Sequence, residues 1–182
     1  MAKPKPRRKP RASAFAAPPP ATAPLACLRP EHHAHGGSDC LRRVEQVCRE
    51  RGLNLTPIRT EALRHIVEAG RPIKAYDLLE RMRGGPGASA PPTVYRALDF
   101  LLEHGFIHRL ASVNAFLACH HPAEGHVVPI LICRDCEAAE ELEDEAVSAA
   151  LEQLAAERGF QSAHSHIEVL GRCARCTAGG VR

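Results

Sequence analysis

Apolar positions along this chain recur first with the period of a helix and later with that of a strand. Leu41, Val44, Val47 and Cys48 fall three and four residues apart, one face of a helix, and Gly52 stops the run. Thr56 and Pro57 read as an N-cap followed by proline at the first helical position; Ala62, Leu63, Ile66 and Val67 carry that helix to Gly70. A third helix is predicted from Lys74 through Tyr76, Leu78, Leu79 and Met82 to Gly84 and Gly85, and the following GGPGASA stretch reads as a flexible loop. Pro92 and Thr93 open a fourth, TVYRALDFLLEH, closed by Gly105. The period then shortens. Two β-prone stretches flank Ser112, Val113 and Asn114 as in a hairpin.

Several short helices followed by a hairpin is the order of a winged helix-turn-helix, with the fourth helix entering the major groove and the hairpin as the wing. Beyond HPAEGHVVP the pattern becomes strand (VPILIC), strand (near Ala138–Leu142), helix (EDEAVSAALEQLAAERG) and strand (SHIEVLG). The fold class expected is α+β: an N-terminal winged helix-turn-helix domain followed by a small α/β dimerisation domain. The boundaries are a disordered basic, proline-rich extension over 1–39, a DNA-binding domain over 40–119, a hinge over 120–127, a dimerisation and metal-binding domain over 128–176, and a tail over 177–182. The second domain is small enough to need a metal or a partner subunit for stability.

Composition narrows the class. With 182 residues, 45% of them apolar, the chain can bury a core. No apolar run approaches the length of a membrane span, and the basic, proline-broken start is a poor secretory signal, so a cytoplasmic location is expected. Charge is segregated: residues 41–110 carry twelve basic and eight acidic side chains, whereas residues 111–182 carry five and eleven. The first half is the one suited to a polyanion such as DNA.

Cys133/Cys136 and Cys173/Cys176 form two C-x-x-C pairs separated by 36 residues. Four soft thiolates suit tetrahedral zinc, and a closed shell makes such a site structural rather than catalytic. A second cluster, Cys119, His120, His121 and His126, lies in the wing and hinge; spacing alone does not select a carboxylate partner from the acids that follow. His166 and Glu168 before Cys173 superficially match a zinc-deaminase signature, but only four residues separate Glu168 from Cys173 and no proline precedes it, so that reading is rejected. His164 and His166 could form a peripheral third site, and His32, His33 and His35 a loose one in the extension. A zinc enzyme would need an open coordination position and a general base, and no acid-base pair is evident.

LTPIRTEALRHIVEAGRPIKAYDLLERM, PPTVYRALDFLLEHGFIHRL and the paired C-x-x-C motifs together resemble the ferric uptake regulator family, and within it the zinc-responsive branch. The resemblance covers residues 40–176. It implies a regulatory zinc held by His108, Cys119, His126 and Glu141, a structural zinc held by Cys133, Cys136, Cys173 and Cys176, and hence two zinc ions per subunit. It further implies a homodimer that binds palindromic double-stranded operator DNA, represses zinc-uptake genes, and contacts DNA through Tyr76, Thr93, Tyr95 and Arg96. Where iron-sensing relatives carry a His-Asp-His element, this chain has Val127, Val128, Pro129 and Ile130, which cannot ligate iron. Glu80 and Arg83 match positions that pair neighbouring dimers on DNA; an ordinary surface pair is the equal alternative. An iron-, peroxide- or other metal-responsive regulator, and a zinc-stapled interaction module, stand as rival functions.

Overall fold

The structure is a computed structural model, and it describes residues 36–84, 91–122, 128–142, 144–160 and 166–179. Helix α1 (Gly36–Glu50) begins inside the stretch expected to be disordered. Asp39 in its first turn complements the helix dipole and pairs with Arg42, which favours an earlier start. Val44, Val47 and Cys48 are buried, as their spacing predicts.

Helix α2 (Pro57–Ala69) starts at proline; Thr56 takes the extended cap conformation, but its side chain makes no capping bond. Gly70 ends the helix in the left-handed region (φ 57°), where its N–H donates to the Val67 carbonyl. Strand β1 (Ile73–Lys74) is too short to leave a periodic trace, and it claims Lys74, so α3 (Ala75–Arg81) starts one residue later than predicted. It also stops before Gly84, with Met82 as its C-cap. Helix α4 (Pro91–Glu103) buries Val94, Ala97, Leu98, Phe100 and Leu101.

Strands β2 (Ile107–Leu110) and β3 (Ala115–Ala118) form the expected hairpin, and Asn114 takes a left-handed conformation (φ 50°) in its turn. With β1 they make an antiparallel sheet of order β1-β3-β2. A second sheet, of order β5-β4-β6, joins β4 (Val128–Cys133), β5 (Ala139–Glu141) and β6 (His166–Gly171). Strand β6 runs parallel to β4, with Cys133 opposite Gly171, so the chain crosses over between them through α5 (Glu145–Ala156). Asp144 caps α5 by accepting from the Ala146 and Val147 N–H groups. A last short helix, α6 (Ala174–Thr177), carries Cys176.

Phe106, Leu63, Ile66, Leu78, Leu98 and Leu101 fill the core of the helical part. A smaller cluster bridges the two sheets: Leu110 and Leu117 from the hairpin pack with Val128, Ile130, Ile132 and Ala139. Polar links reinforce it. The Ala111 and Ser112 N–H groups, in the hairpin turn, donate to the two oxygens of Glu168 on β6 at 2.6 and 2.9 Å. Hydrogen bonds to a charged group contribute about 1.5–3 kcal/mol each before solvent screening. The exposed Lys74–Glu137 pair at 3.5 Å contributes at most about 1 kcal/mol. Glu168 is therefore the stronger polar tie, and Glu168→Ala is expected to speed amide exchange at Ala111 and Ser112 by tenfold or more (about 1.4 kcal/mol). Unchanged protection of those two amides would remove this role.

Candidate metal centres and nucleic-acid face

The parallel pairing of β4 and β6 assembles the four-cysteine cluster. Cys133 ends β4, Cys136 lies in the turn that follows, Cys173 precedes α6 and Cys176 sits within it. All four are buried, and their sulfurs lie within 4.8 Å of one another, with 3.9 Å between Cys136 and Cys173. None of the described cysteines forms a disulfide. Burial works against thiolate formation at Cys133, Cys136 and Cys176. At Cys133, N–H groups of Cys173, Cys136 and Asp135 overcome it and bring the thiol down to about 6. Burial and neighbouring sulfurs push the Cys136 and Cys176 thiols up. Four thiolates this close repel one another unless a cation sits among them, and the set fits zinc.

A second centre joins elements from both sheets. His108 projects from β2, Cys119 follows β3 and Glu141 ends β5; all three are buried, and one donor atom from each lies within 4.8 Å of the others. Along β2 the exposed residue is Arg109, so strand alternation turns His108 inward. Glu141 Oε1 lies 3.2 Å from His108 Nε2, and Oε2 lies 3.4 Å from His120 Nδ1. Oε2 also accepts the His120 backbone N–H at 3.2 Å. Oε1 receives no hydrogen bond of acceptable geometry although it is buried. Such an atom costs several kcal/mol unless something positive meets it, and a cation held by His108, Cys119 and Glu141 would do so. Burial opposes the charge on Glu141, yet polar contacts with the His108 and His120 rings outweigh it and hold the carboxyl at about 2. The carboxylate is therefore ionised, ready to ligate, at any physiological pH.

His126, implied as a fourth ligand, lies outside the described residues, as do His32, His33, His35 and His164. His120, read from the sequence as one of the wing-and-hinge cluster, lies beside Glu141 but outside the group of mutually close donors. Helix α1 also reaches this centre: Cys40 Sγ donates to the Cys119 carbonyl at 3.7 Å, and Arg43 Nη1 to the His120 carbonyl at 3.4 Å. Burial, with the Glu141 charge added and Arg43 opposing, pushes the Cys40 thiol up to about 11. Nothing in the sequence signals these contacts, which span 77 to 79 residues.

Thr93, Tyr95 and Arg96 are exposed at the start of α4, and its buried residues begin with Val94 and continue on the opposite face. Tyr76 on α3 is 65% exposed and Tyr95 47%, so neither ring is committed to the core. Glu80 and Arg83 pair with each other at 3.4 Å within the chain.

The sequence model of the Ferric uptake regulator family matches residues 50–170. The Zinc uptake regulation protein of Escherichia coli (strain K12) is 42% identical over 139 residues, 76% of this chain and 81% of that protein. Among solved structures, the holo form of XcZur superposes with a TM-score of 0.70 at 55% identity, covering 79% of this chain and 99% of that one. A zinc uptake regulator complexed with zinc and DNA superposes with a TM-score of 0.71 at 40% identity, covering 79% and 97%.

Proposed function

Because the chain belongs to the ferric uptake regulator family, we propose that it is a zinc-responsive transcriptional repressor whose dimer binds operator DNA. The observation that carries this reading is the buried His108–Cys119–Glu141 constellation, which draws donors from the hairpin side and from the second sheet into one place. Its relatives include zinc uptake regulators, one of them solved with zinc and DNA. One sulfur, an imidazole and a carboxylate suit zinc, and His126 would complete four ligands. Val128 and Ile130, which stand where iron-sensing relatives place ligands, are buried in the small core. The four cysteines would hold a second, structural zinc, giving two per subunit.

In this reading residues 40–119 form a winged helix, residues 120–127 a hinge and residues 128–176 the dimerisation domain. Helix α5 buries none of its residues, and Leu154, Phe160, Val169 and Leu170 expose 38–67% of their surfaces. A second copy of the chain would cover some of these apolar side chains. A bound divalent cation would place positive charge between the Glu141 carboxylate and the Cys119 sulfur. With it, His108 and Cys119 stay fixed against Glu141, and the two winged helices of a dimer keep the one-turn separation that palindromic half-sites demand. Without it, the hinge samples arrangements of which few match the operator. The linkage is reciprocal, so DNA tightens zinc by the factor with which zinc tightens DNA. Among the described residues no helix is long and apolar enough to cross a membrane, and the reading places the protein on cytoplasmic DNA.

Titrating free zinc against binding of the protein to its promoter fragment tests the proposal; affinity independent of zinc would end it. On the DNA side, Arg96 carries the bidentate fork that reads guanine. Arg96→Ala is expected to weaken operator binding by about 5–150-fold, the equivalent of about 1–3 kcal/mol, with zinc content unchanged. Undiminished affinity would take Arg96 out of the DNA face.

A further inference from the structure

Glu141 has two oxygens in very different surroundings. Its side chain is 1% exposed, so water cannot solvate either. Oε2 accepts the His120 backbone N–H at 3.2 Å, and the His120 ring Nδ1 lies 3.4 Å from it. Oε1 is the oxygen that lies 3.2 Å from His108 Nε2. The ring of His120 approaches the carboxylate and stands outside the group of mutually close donors, which comprises His108, Cys119 and Glu141. Residue 120 is itself held in place, since Arg43 of α1 donates to its carbonyl and Cys40 to that of Cys119.

We propose that His120 is a positioning residue that occupies Glu141 Oε2, restricts the carboxylate to single-oxygen ligation, and so biases the site toward four-coordinate cations. This rests on reading His108, Cys119 and Glu141 as the sensing site. The physical basis is the contrast between cations. Tetrahedral zinc takes one oxygen from a carboxylate, whereas larger oxygen-seeking ions reach six or more ligands by accepting both. With Oε2 hydrogen-bonded to the His120 backbone and faced by the His120 ring, the second oxygen can turn toward a cation only by giving up both contacts. Partners that orient a ligand in this way typically change metal affinity by about 10–100-fold when removed.

The test uses full-length protein with zinc retained at the four cysteines and cobalt(II) titrated into the second site. Wild type should give the intense visible bands of four-coordinate cobalt. His120→Ala should bind cobalt and zinc about 10–100-fold more weakly and give the weaker bands of higher coordination. In His120→Asn, the side-chain amide donates from nearly the place of Nδ1 and should restore both properties. An unchanged spectrum and affinity in His120→Ala would overturn the proposal. So would complete loss of cobalt in both variants, which would make the ring a ligand. Failure of the wild type to take cobalt at this site would instead bring down the reading of the sensing site itself. Retention of zinc at the four cysteines in every variant shows that the fold is intact.

Discussion

Cys119→Ser should abolish zinc-dependent operator binding while leaving the protein folded and one zinc per subunit in place. Cys119 supplies the only sulfur among the described donors of the second centre, and it is 2% exposed. A serine hydroxyl is a poor zinc ligand at neutral pH, because it stays protonated where the thiol ionises on binding. Zinc affinity at this site should fall by more than the roughly 100-fold typical of losing a residue that only orients a ligand. Operator affinity at any attainable free zinc should then sit at the metal-free level, lower by the coupling factor, about 5–150-fold. Fluorescence anisotropy on a promoter fragment across a buffered zinc series measures this, and bound zinc is counted in parallel. The four-cysteine cluster shares no residue with this centre, so the variant should keep the wild-type melting temperature within a few degrees. A Cys119→Ser protein that still answers to zinc would locate the sensor elsewhere.

Removing a thiolate from the other cluster should have a larger structural effect. Cys173→Ser is expected to unfold the second sheet and α5, lower the helical signal, and leave the chain monomeric and unable to bind operator. The sheet has little else to hold it. Among the described residues strand β6 pairs with β4 alone, and α5 has no buried residue. The bridging core comprises six buried side chains, two of them contributed by the hairpin. Structural zinc sites are associated with apparent binding free energies of about 10–16 kcal/mol, comparable to or above the whole stability of a typical domain. Circular dichroism, sedimentation and zinc content would read the outcome together. The helical core around Leu63, Leu98 and Phe106 should survive, because it contains none of the four cysteines. A Cys173→Ser protein with native melting behaviour and wild-type dimerisation would refute a structural role for the cluster. The contrast with Cys119→Ser separates stability from sensing: one variant loses its response, the other its second half.

Much of this architecture was legible in the chain because it is encoded over short distances. Helices α1, α2 and α4 follow from apolar residues three and four apart, and the hairpin from β-prone stretches around Asn114. The exceptions have physical causes. Strand β1 spans two residues and exists only because Ile73 and Lys74 lie opposite Phe116 and Ala115. The start of α1 at Gly36 goes with an acidic first turn at Asp39 rather than with an apolar stripe.

By itself the sequence determined the element types, the split between a basic and an acidic half, and the two pairs of neighbouring thiols, since C-x-x-C spacing keeps the members of each pair close along the chain. Only the tertiary structure decided which acid meets His108. Glu137, Glu140, Glu141 and Asp144 crowd one short stretch, and pairing of Ile130 with Glu141 in the β4–β5 ladder puts Glu141 at the centre. It likewise decided that Glu168 would grip the hairpin turn and His120 the second carboxylate oxygen. Periodicity records how a residue faces its own helix or strand. Which distant partner completes a buried charge depends on strand register and on how the two sheets pack, and those exist only once the chain has folded.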